Sequence, residues 1–240
     1  MGLFDKKYCD ICGEKIGLLG NRKLEDGNMC KNCARLLSPF TTDRRRTTLA
    51  EIKDHLAYRE ANKNEVAAFN VTRTIGGKTK VLLDEDNGKF IVTSSGRWQS
   101  ENPDVMLFSQ VTGCQTEIKE SRQEIKRQDK DGKSVSYNPP RYDIDYDFYL
   151  TIHINSPFFS EIEFKVNDSR IEERNSVEYR EAQRQADEIK QALTQVRQEV
   201  RENIAAANAP KVAQTCPLCG ATTTPDASGC CEYCGGAMTQ

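Results

Sequence analysis

The sequence predicts an α+β protein in which an antiparallel β barrel or sheet is followed by a long helix, with a small cysteine-rich module at each end. Three patterns carry this prediction. Two Cys-x2-Cys pairs stand near each end of the 240-residue chain. The middle of the chain alternates apolar and polar residues with a period of two, which is typical of half-buried strands. The stretch before the last cysteines repeats apolar residues every three or four positions, which is typical of one helix face.

The first module is defined by two Cys-x2-Cys pairs that are separated by seventeen residues. This spacing matches a four-cysteine zinc signature, because each pair can place two thiolates on one ion and two pairs complete a tetrahedron. Four protein ligands leave no open position for water, so the predicted site is structural. Zinc would also compensate for an apolar core that is too small to fold alone. The predicted ligands are Cys9, Cys12, Cys30 and Cys33.

The same segment resembles a bacterial zinc-finger family called domain of unknown function 4428. The resemblance covers about the first sixth of the chain. It implies zinc binding and a bacterial source, and it implies no activity because the family has none assigned. The motifs that carry it are Cys9-Asp10-Ile11-Cys12-Gly13, Gly17-Leu18-Leu19-Gly20, Lys23-Leu24, Asp26-Gly27 and Cys30-Lys31-Asn32-Cys33.

The second module repeats the pattern with eleven residues between the pairs, and it resembles a zinc ribbon. A glycine follows each pair, where it relieves crowding as backbone amides turn toward the sulfurs. Cys230 is an alternative ligand to Cys231, but only Cys231 keeps the x2 spacing to Cys234. The predicted ligands are Cys216, Cys219, Cys231 and Cys234, which gives two structural zinc ions per chain.

Cysteine usage also bears on the compartment. Ten cysteines without an export signal or a long apolar run favour reduced thiols in the cytoplasm. Disulfides are the alternative, but a disulfide framework does not require Cys-x2-Cys pairs. A single ion shared by the first pair of each module is a further alternative. Closing a loop of about two hundred residues makes it unfavourable relative to two local sites.

The pattern divides the chain into five segments. Thr48-x-x-Glu51 is a capping box that predicts a surface helix over about Leu49–Phe69. The predicted segments are a zinc domain at 1–40, a linking helix at 41–68, an antiparallel β domain at 69–168, a long helix at 169–207 with a possible break near Asn175-Ser176, and a zinc ribbon at 208–240.

In the β domain, alternation of apolar and polar residues predicts the strands, and glycine-containing segments predict the turns. Its clearest strand is Tyr142–Ile154, and Asp131-Gly132 marks a hairpin tip before it. This element order resembles a pleckstrin-homology or GRAM-type split barrel with a C-terminal helix. The other predicted strands are Lys80–Leu83, Phe90–Thr93, Val105–Ile118 with a bulge at Gly113, and Ile162–Val166.

The long helix carries a heptad seam of apolar residues. The seam is either a homodimer contact over 182–200 or the face that packs on the β domain. We favour the second because two of its six positions are alanine, which makes a weak dimer surface. The seam residues are Ala182, Ala186, Ile189, Leu193, Val196 and Val200.

The sequence offers no catalytic constellation, so we expect no enzyme. His55 and His153 stand beside no nucleophile and are expected at the surface or its boundary. Alternating Asp143, Asp145 and Asp147 could bind a hard cation, although such a pattern is more often a solvated strand face.

Charge decides between classes of partner. The formal net charge is −2, and the C-terminal module has almost no basic residues to neutralise phosphates. We therefore expect a non-enzymatic protein-interaction scaffold whose partner is a protein and not a nucleic acid, and we expect Arg44–Arg46 to be a solvated linker. The alternative is a membrane-surface adaptor that uses Arg73, Lys78 and Lys80 of the β domain, although the acidic turn at Asp84–Asp86 weakens it.

Overall fold

The computed structural model describes residues 7–42, 44–207, 213–226 and 229–238, without the side chains of 195–207. Residues Met1–Gln198 form one compact unit and residues Glu199–Gln240 form a second. The fold mixes helices with antiparallel sheets and carries a four-cysteine cluster near each end, as predicted. Among the described residues, no helix is long and apolar enough to cross a bilayer.

The N-terminal module is a hairpin followed by one helical turn. Strand β1 (Arg22–Lys23) pairs with β2 (Asn28–Met29), and helix α1 (Lys31–Ala34) begins at Cys30. Leu24 and Met29 are fully buried between the cysteines. The short hairpin therefore packs on a small core in which three of the eight buried residues are cysteines.

Helix α2 (Leu49–Ala68) has the predicted start, and both bonds of the Thr48–Glu51 capping box are present. The expectation of a polar surface helix is wrong. A stripe with helical spacing is buried on one side, and three of its five members are polar. The buried residues are Ile52, His55, Arg59, Asn62 and Val66.

The first sheet has four antiparallel strands in the order β3 (Arg73–Gly76), β4 (Lys80–Asp84), β5 (Lys89–Thr93) and β6 (Val105–Leu107). Strand β3 and the short helix α3 (Trp98–Glu101) were not predicted, because neither shows a clear period. The predicted strand Val105–Ile118 is interrupted by a 3-10 turn at Phe108–Gln110, after which the chain enters the second sheet.

The second sheet contains β7 (Val111–Gln128), β8 (Ser134–Ile154) and β9 (Glu161–Lys165). The register of β7 on β8 shifts between Val111 and Gly113, so the predicted bulge is present. Strand β9 pairs only with residues 149–153 of β8. The earlier part of β8, from Ser134, pairs with β7 alone, so the two strands form a two-stranded ribbon there. The two sheets do not close on each other, so the barrel alternative is wrong and the sheet alternative is correct.

Helix α4 (Val177–Ala207) starts later than predicted. Asn175, two residues before it, has a left-handed backbone conformation with a φ of 67°. Four of its seam residues, at 182, 186, 189 and 193, are buried in the main core with side chains of both sheets. Val196 and Val200 lie outside the described side chains. The seam therefore packs intramolecularly over its described part.

The C-terminal unit is a small two-stranded element with two cysteine turns. Strand β10 (Gln214–Thr215) pairs with β11 (Thr222–Thr223). A single bridge joins Cys230 to Ala237. Its buried hydrophobic cluster contains Cys216, Cys231 and Met238, so here the thiols make up most of the core.

Candidate metal centres

The structure brings the four N-terminal cysteines together at one point. All four Sγ atoms lie within 4.8 Å of one another. The Cys9–Cys33 and Cys12–Cys30 sulfur pairs are each 3.8 Å apart. A tetrahedral ion with metal–sulfur bonds of about 2.3 Å needs edges of about 3.8 Å. The set therefore has the size that such an ion requires.

Backbone N–H groups of the module donate hydrogen bonds to two of these sulfurs. The N–H of Cys30 donates to Cys9 Sγ at 3.2 Å, and the N–H of Cys33 donates to Cys30 Sγ at 3.4 Å. Gly13 follows the first pair with a φ of 76°, and its N–H donates to the carbonyl of Cys9. The N–H groups of Cys30 and Cys33 stabilise thiolate over thiol, and thiolate is the form that binds a metal.

The electrostatics of the set favour a cation. Burial raises the pKa of Cys9, but N–H groups of Cys12, Cys30 and Ile11 outweigh it and lower that pKa to about 6. Burial and the neighbouring thiols raise the pKa of Cys33 well above its usual range. One thiolate thus suppresses ionisation of its neighbours, and a divalent cation would relieve that repulsion.

The C-terminal set has the same construction. The four Sγ atoms again lie within 4.8 Å, with 3.6 Å between Cys216 and Cys234 and 3.7 Å between Cys219 and Cys231. N–H groups of Cys219 and Leu218 lower the pKa of Cys216 to about 6. An N–H of Gly236 lowers the pKa of Cys234, but the thiols of Cys219 and Cys216 outweigh it and raise that pKa to about 12.

The two remaining cysteines stand apart from both sets. Cys230 is half-buried and is not among the four converging sulfurs, whereas Cys231 is. Cys114 is buried in the main core, and burial raises its pKa to about 11. Neither has the geometry of a ligand in the described structure.

A buried polar network joins the N-terminal module to α2 and to the first sheet. Arg59 Nη1 donates to Asp104 Oδ1 at 2.7 Å, and Ser38 Oγ donates to Asp104 Oδ2 at 2.8 Å. The backbone N–H of Ser38 donates to His55 Nε2 at 3.2 Å. We call Ser38, His55, Arg59 and Asp104 the clamp. Sequence reasoning missed it, because its members lie far apart in the chain.

The clamp contains serine, histidine and aspartate, but they are not arranged for nucleophilic catalysis. The hydroxyl of Ser38 donates to the carboxylate and not to the imidazole. His55 Nε2 is occupied by a backbone N–H, and its ring stacks on Phe158 at 4.5 Å between centroids. A triad needs the imidazole to accept the hydroxyl proton. The expectation that His55 lies near the surface is wrong, since it is 3% exposed.

The other polar candidates are occupied by ion pairs. Asp143 and Asp145 contact Arg170, and Asp147 contacts Lys165. These pairs place a cationic side chain beside each carboxylate that a hard cation would need. His153 is half-buried on β8, with Nδ1 at 3.3 Å from Glu161.

Comparison with known proteins supports the N-terminal assignment. Residues 7–55 match the family described as Domain of unknown function (DUF4428), which is the family that the cysteine motifs resemble. No curated protein and no solved structure matches the chain. The matched segment ends inside α2, so it includes the first turns of the helix that packs on the metal module.

Proposed function

We propose that the protein is a zinc-organised, non-enzymatic scaffold that presents fixed surfaces to a protein partner. The observation that carries this proposal is the position of exposed apolar side chains on the C-terminal metal turns. Leu218 lies between Cys216 and Cys219 and is 74% exposed, and Tyr233 lies between Cys231 and Cys234 and is 73% exposed. Each of the two Cys-x2-Cys turns of the C-terminal module therefore exposes one large apolar side chain to solvent.

The identity of the ion rests on the donor set. Four sulfurs in a tetrahedron suit zinc, and they also suit iron. Zinc accounts better for two sites with four protein ligands each and small local cores, because structural zinc contributes folding free energy directly. Elemental analysis of the purified full chain distinguishes the two metals.

Partner chemistry follows from charge. Residues 208–240 carry one lysine against two acids, and four thiolates with one zinc ion add −2, which gives −3. A negative module with exposed aromatic and aliphatic tips suits a protein surface better than nucleic acid. Tyrosine is one of the residue types that most often anchor the centres of protein interfaces, which makes Tyr233 the stronger candidate of the two.

The clamp supports the scaffold role in the first unit. Asp104 and Arg59 are buried, and their bonds hold the loop after the N-terminal cysteines against the first sheet. A metal module that is fixed in this way presents its loops in one orientation, which lowers the entropic cost of binding.

The test is partner capture by the full chain with matched variants. Crosslinking and mass spectrometry should recover a protein that contacts the C-terminal module, and the double variant Leu218→Ser/Tyr233→Ser should lose it. The control, Leu107→Ser, removes a 43% exposed leucine from β6 and should retain the partner. Equal capture by both variants would refute this surface.

The alternative is an adaptor that binds anionic membranes through the central domain. The central domain has four strands, then three strands, then a helix. This order agrees with the resemblance to pleckstrin-homology barrels. The proposed basic loop is weakened by its ion pairs, since Arg73 lies 2.7 Å from Glu188 and 3.8 Å from Glu85. Vesicle sedimentation of Lys78→Gln/Lys80→Gln tests this alternative.

A further inference from the structure

The N-terminal metal module has an apolar tip. Gly17 and Gly20 close a tight turn through a 3.0 Å bond between the Gly20 N–H and the Gly17 carbonyl. The two central residues of this turn, Leu18 and Leu19, are 91% and 89% exposed. Two adjacent leucines that are almost wholly in water are costly unless another surface covers them.

A basic pocket lies beside this tip. It has a volume of about 390 Å³, and none of the described residues that line it is acidic. Its four cationic side chains come from β1 and from the 3-10 turn at 44–46, which pack together. The lining residues are Asn21, Arg22, Lys23, Thr42, Arg44 and Arg45.

The tip and the pocket are joined by Arg22. Arg22 lines the pocket, and its guanidinium donates to the carbonyl of Leu19 at 3.4 Å and to that of Asn21 at 3.3 Å. In the described residues, no carboxylate contacts Arg22, Lys23, Arg44 or Arg45. Their positive charge is therefore available to an anion at the rim of the leucine turn. Arg44–Arg46, predicted to be a solvated linker, contains no buried residue, and the turn also packs against β1.

We propose that the N-terminal module is a membrane-surface site: Leu18 and Leu19 insert among the lipids, and the basic pocket receives an anionic phosphate headgroup. Interfacial binding needs apolar side chains that reach the acyl boundary and cations at headgroup depth. The turn and the pocket supply these two elements next to each other. This site differs from the central loop considered above, and it does not depend on the protein partner of the C-terminal module.

The hairpin that carries the site is fixed by the cysteine set. Strand β2 runs directly into Cys30, and Asp10, between Cys9 and Cys12, accepts the N–H of Asn28 at 2.7 Å. Metal removal should therefore abolish membrane binding by releasing β1, although it leaves the leucines and arginines in the chain.

The test is sedimentation of the full, metal-loaded chain with vesicles of phosphatidylcholine, alone or with phosphatidylserine or a phosphatidylinositol phosphate. We expect binding to the anionic vesicles only, and weaker binding in salt. Arg44→Gln/Arg45→Gln and Leu18→Ser/Leu19→Ser should each weaken binding about tenfold or more. The charge control, Lys15→Gln/Lys53→Gln, should bind within about twofold of wild type because both lysines lie outside the pocket.

A second measurement guards against misfolded variants. Leu18→Trp in a Trp98→Phe background should give a blue-shifted emission when anionic vesicles are added, since the indole enters an apolar layer. Three results would overturn the proposal: no binding to anionic vesicles, equal loss in the lysine control, or loss with Lys78→Gln/Lys80→Gln but not with the arginine variant. The proposal would also be overturned if a bound protein shifted the emission of the Trp at position 18 to the blue while anionic vesicles did not.

Discussion

Removing the Arg59 guanidinium gives the sharpest test of how the first unit is held together. The change Arg59→Met keeps most of the side-chain volume and removes three contacts. The guanidinium bonds to Asp104 at 2.7 Å, to the carbonyl of Leu36 at 3.2 Å and to the carbonyl of Asn102. The Asp104 carboxylate would then keep Ser38 as its only side-chain donor among the clamp residues.

The magnitude follows from burial. The side chain of Asp104 is 0% exposed and that of Arg59 is 10% exposed. Breaking a buried pair by removing one partner costs about 3–5 kcal/mol, because the other charge stays buried and uncompensated. In a chain of this size, that loss lowers Tm by roughly 6–20 °C. Burial already raises the pKa of Asp104 and Arg59 opposes that rise, so the deficit should shrink as the pH is lowered.

The assay is a double-mutant cycle read by thermal unfolding with zinc in excess. Arg59→Met and Asp104→Leu should each destabilise the fold strongly, whereas the double variant should recover about 0.5–3 kcal/mol relative to the sum of the two. Lys63→Met on the exposed side of α2 is the matched control, since its ion pair with Glu60 lies in solvent. Strict additivity of the two clamp changes would refute the reasoning.

Three further predictions concern the metal sites, the pH dependence and the long helix. Elemental analysis should give two zinc ions per chain, and Cys12→Ser or Cys219→Ser should each leave one; the loss of both from either change would contradict separate sites. Burial and Arg59 lower the pKa of His55 from 6.5 to about 4, so between these values the unfolded chain binds a proton that the folded chain does not. Stability should fall with falling pH there by at most about 1.4 kcal/mol per unit, and His55→Gln should flatten that dependence in urea titrations. Leu193→Asp should lower the free energy of unfolding by about 2–5 kcal/mol, because Leu193 is fully buried in the main core, and light scattering that showed only dimer loss in a stable fold would contradict this.

The features that the sequence could predict have local causes. The two cysteine sets follow from spacing, the start of α2 follows from Thr48 and Glu51, and β8 follows from strict alternation. In each case the residues that interact are close in the chain or share one period. A single sequence therefore contains the whole signal.

The features that it could not predict depend on long-range contacts. Asn62 on α2 donates to the carbonyl of Pro103 and accepts the N–H of Val105, which lie 41 and 43 residues further along. From the sequence alone, its polar amide predicts a solvated helix face, because the partner strand is distant in the chain. The same holds for His55 and Arg59, which is why α2 was expected at the surface.

The family match and the packing together change the boundary of the first module. A prediction from spacing ends it near residue 40, because the cysteines and turns end there. Ile52 is fully buried in the same cluster as Cys9, Cys30 and Cys33, with Leu49 and Leu56 packed against it. The family match at residues 7–55 also runs past the cysteines into α2. A core of three buried cysteines and a few aliphatic residues is too small to be closed by the cysteine turns alone, so helix α2 covers its remaining side. His55 and Arg59 of the clamp lie on the same helix, about one and two turns beyond Ile52. Arg59 bonds to Asp104 directly before β6, so α2 couples the metal module to the first sheet.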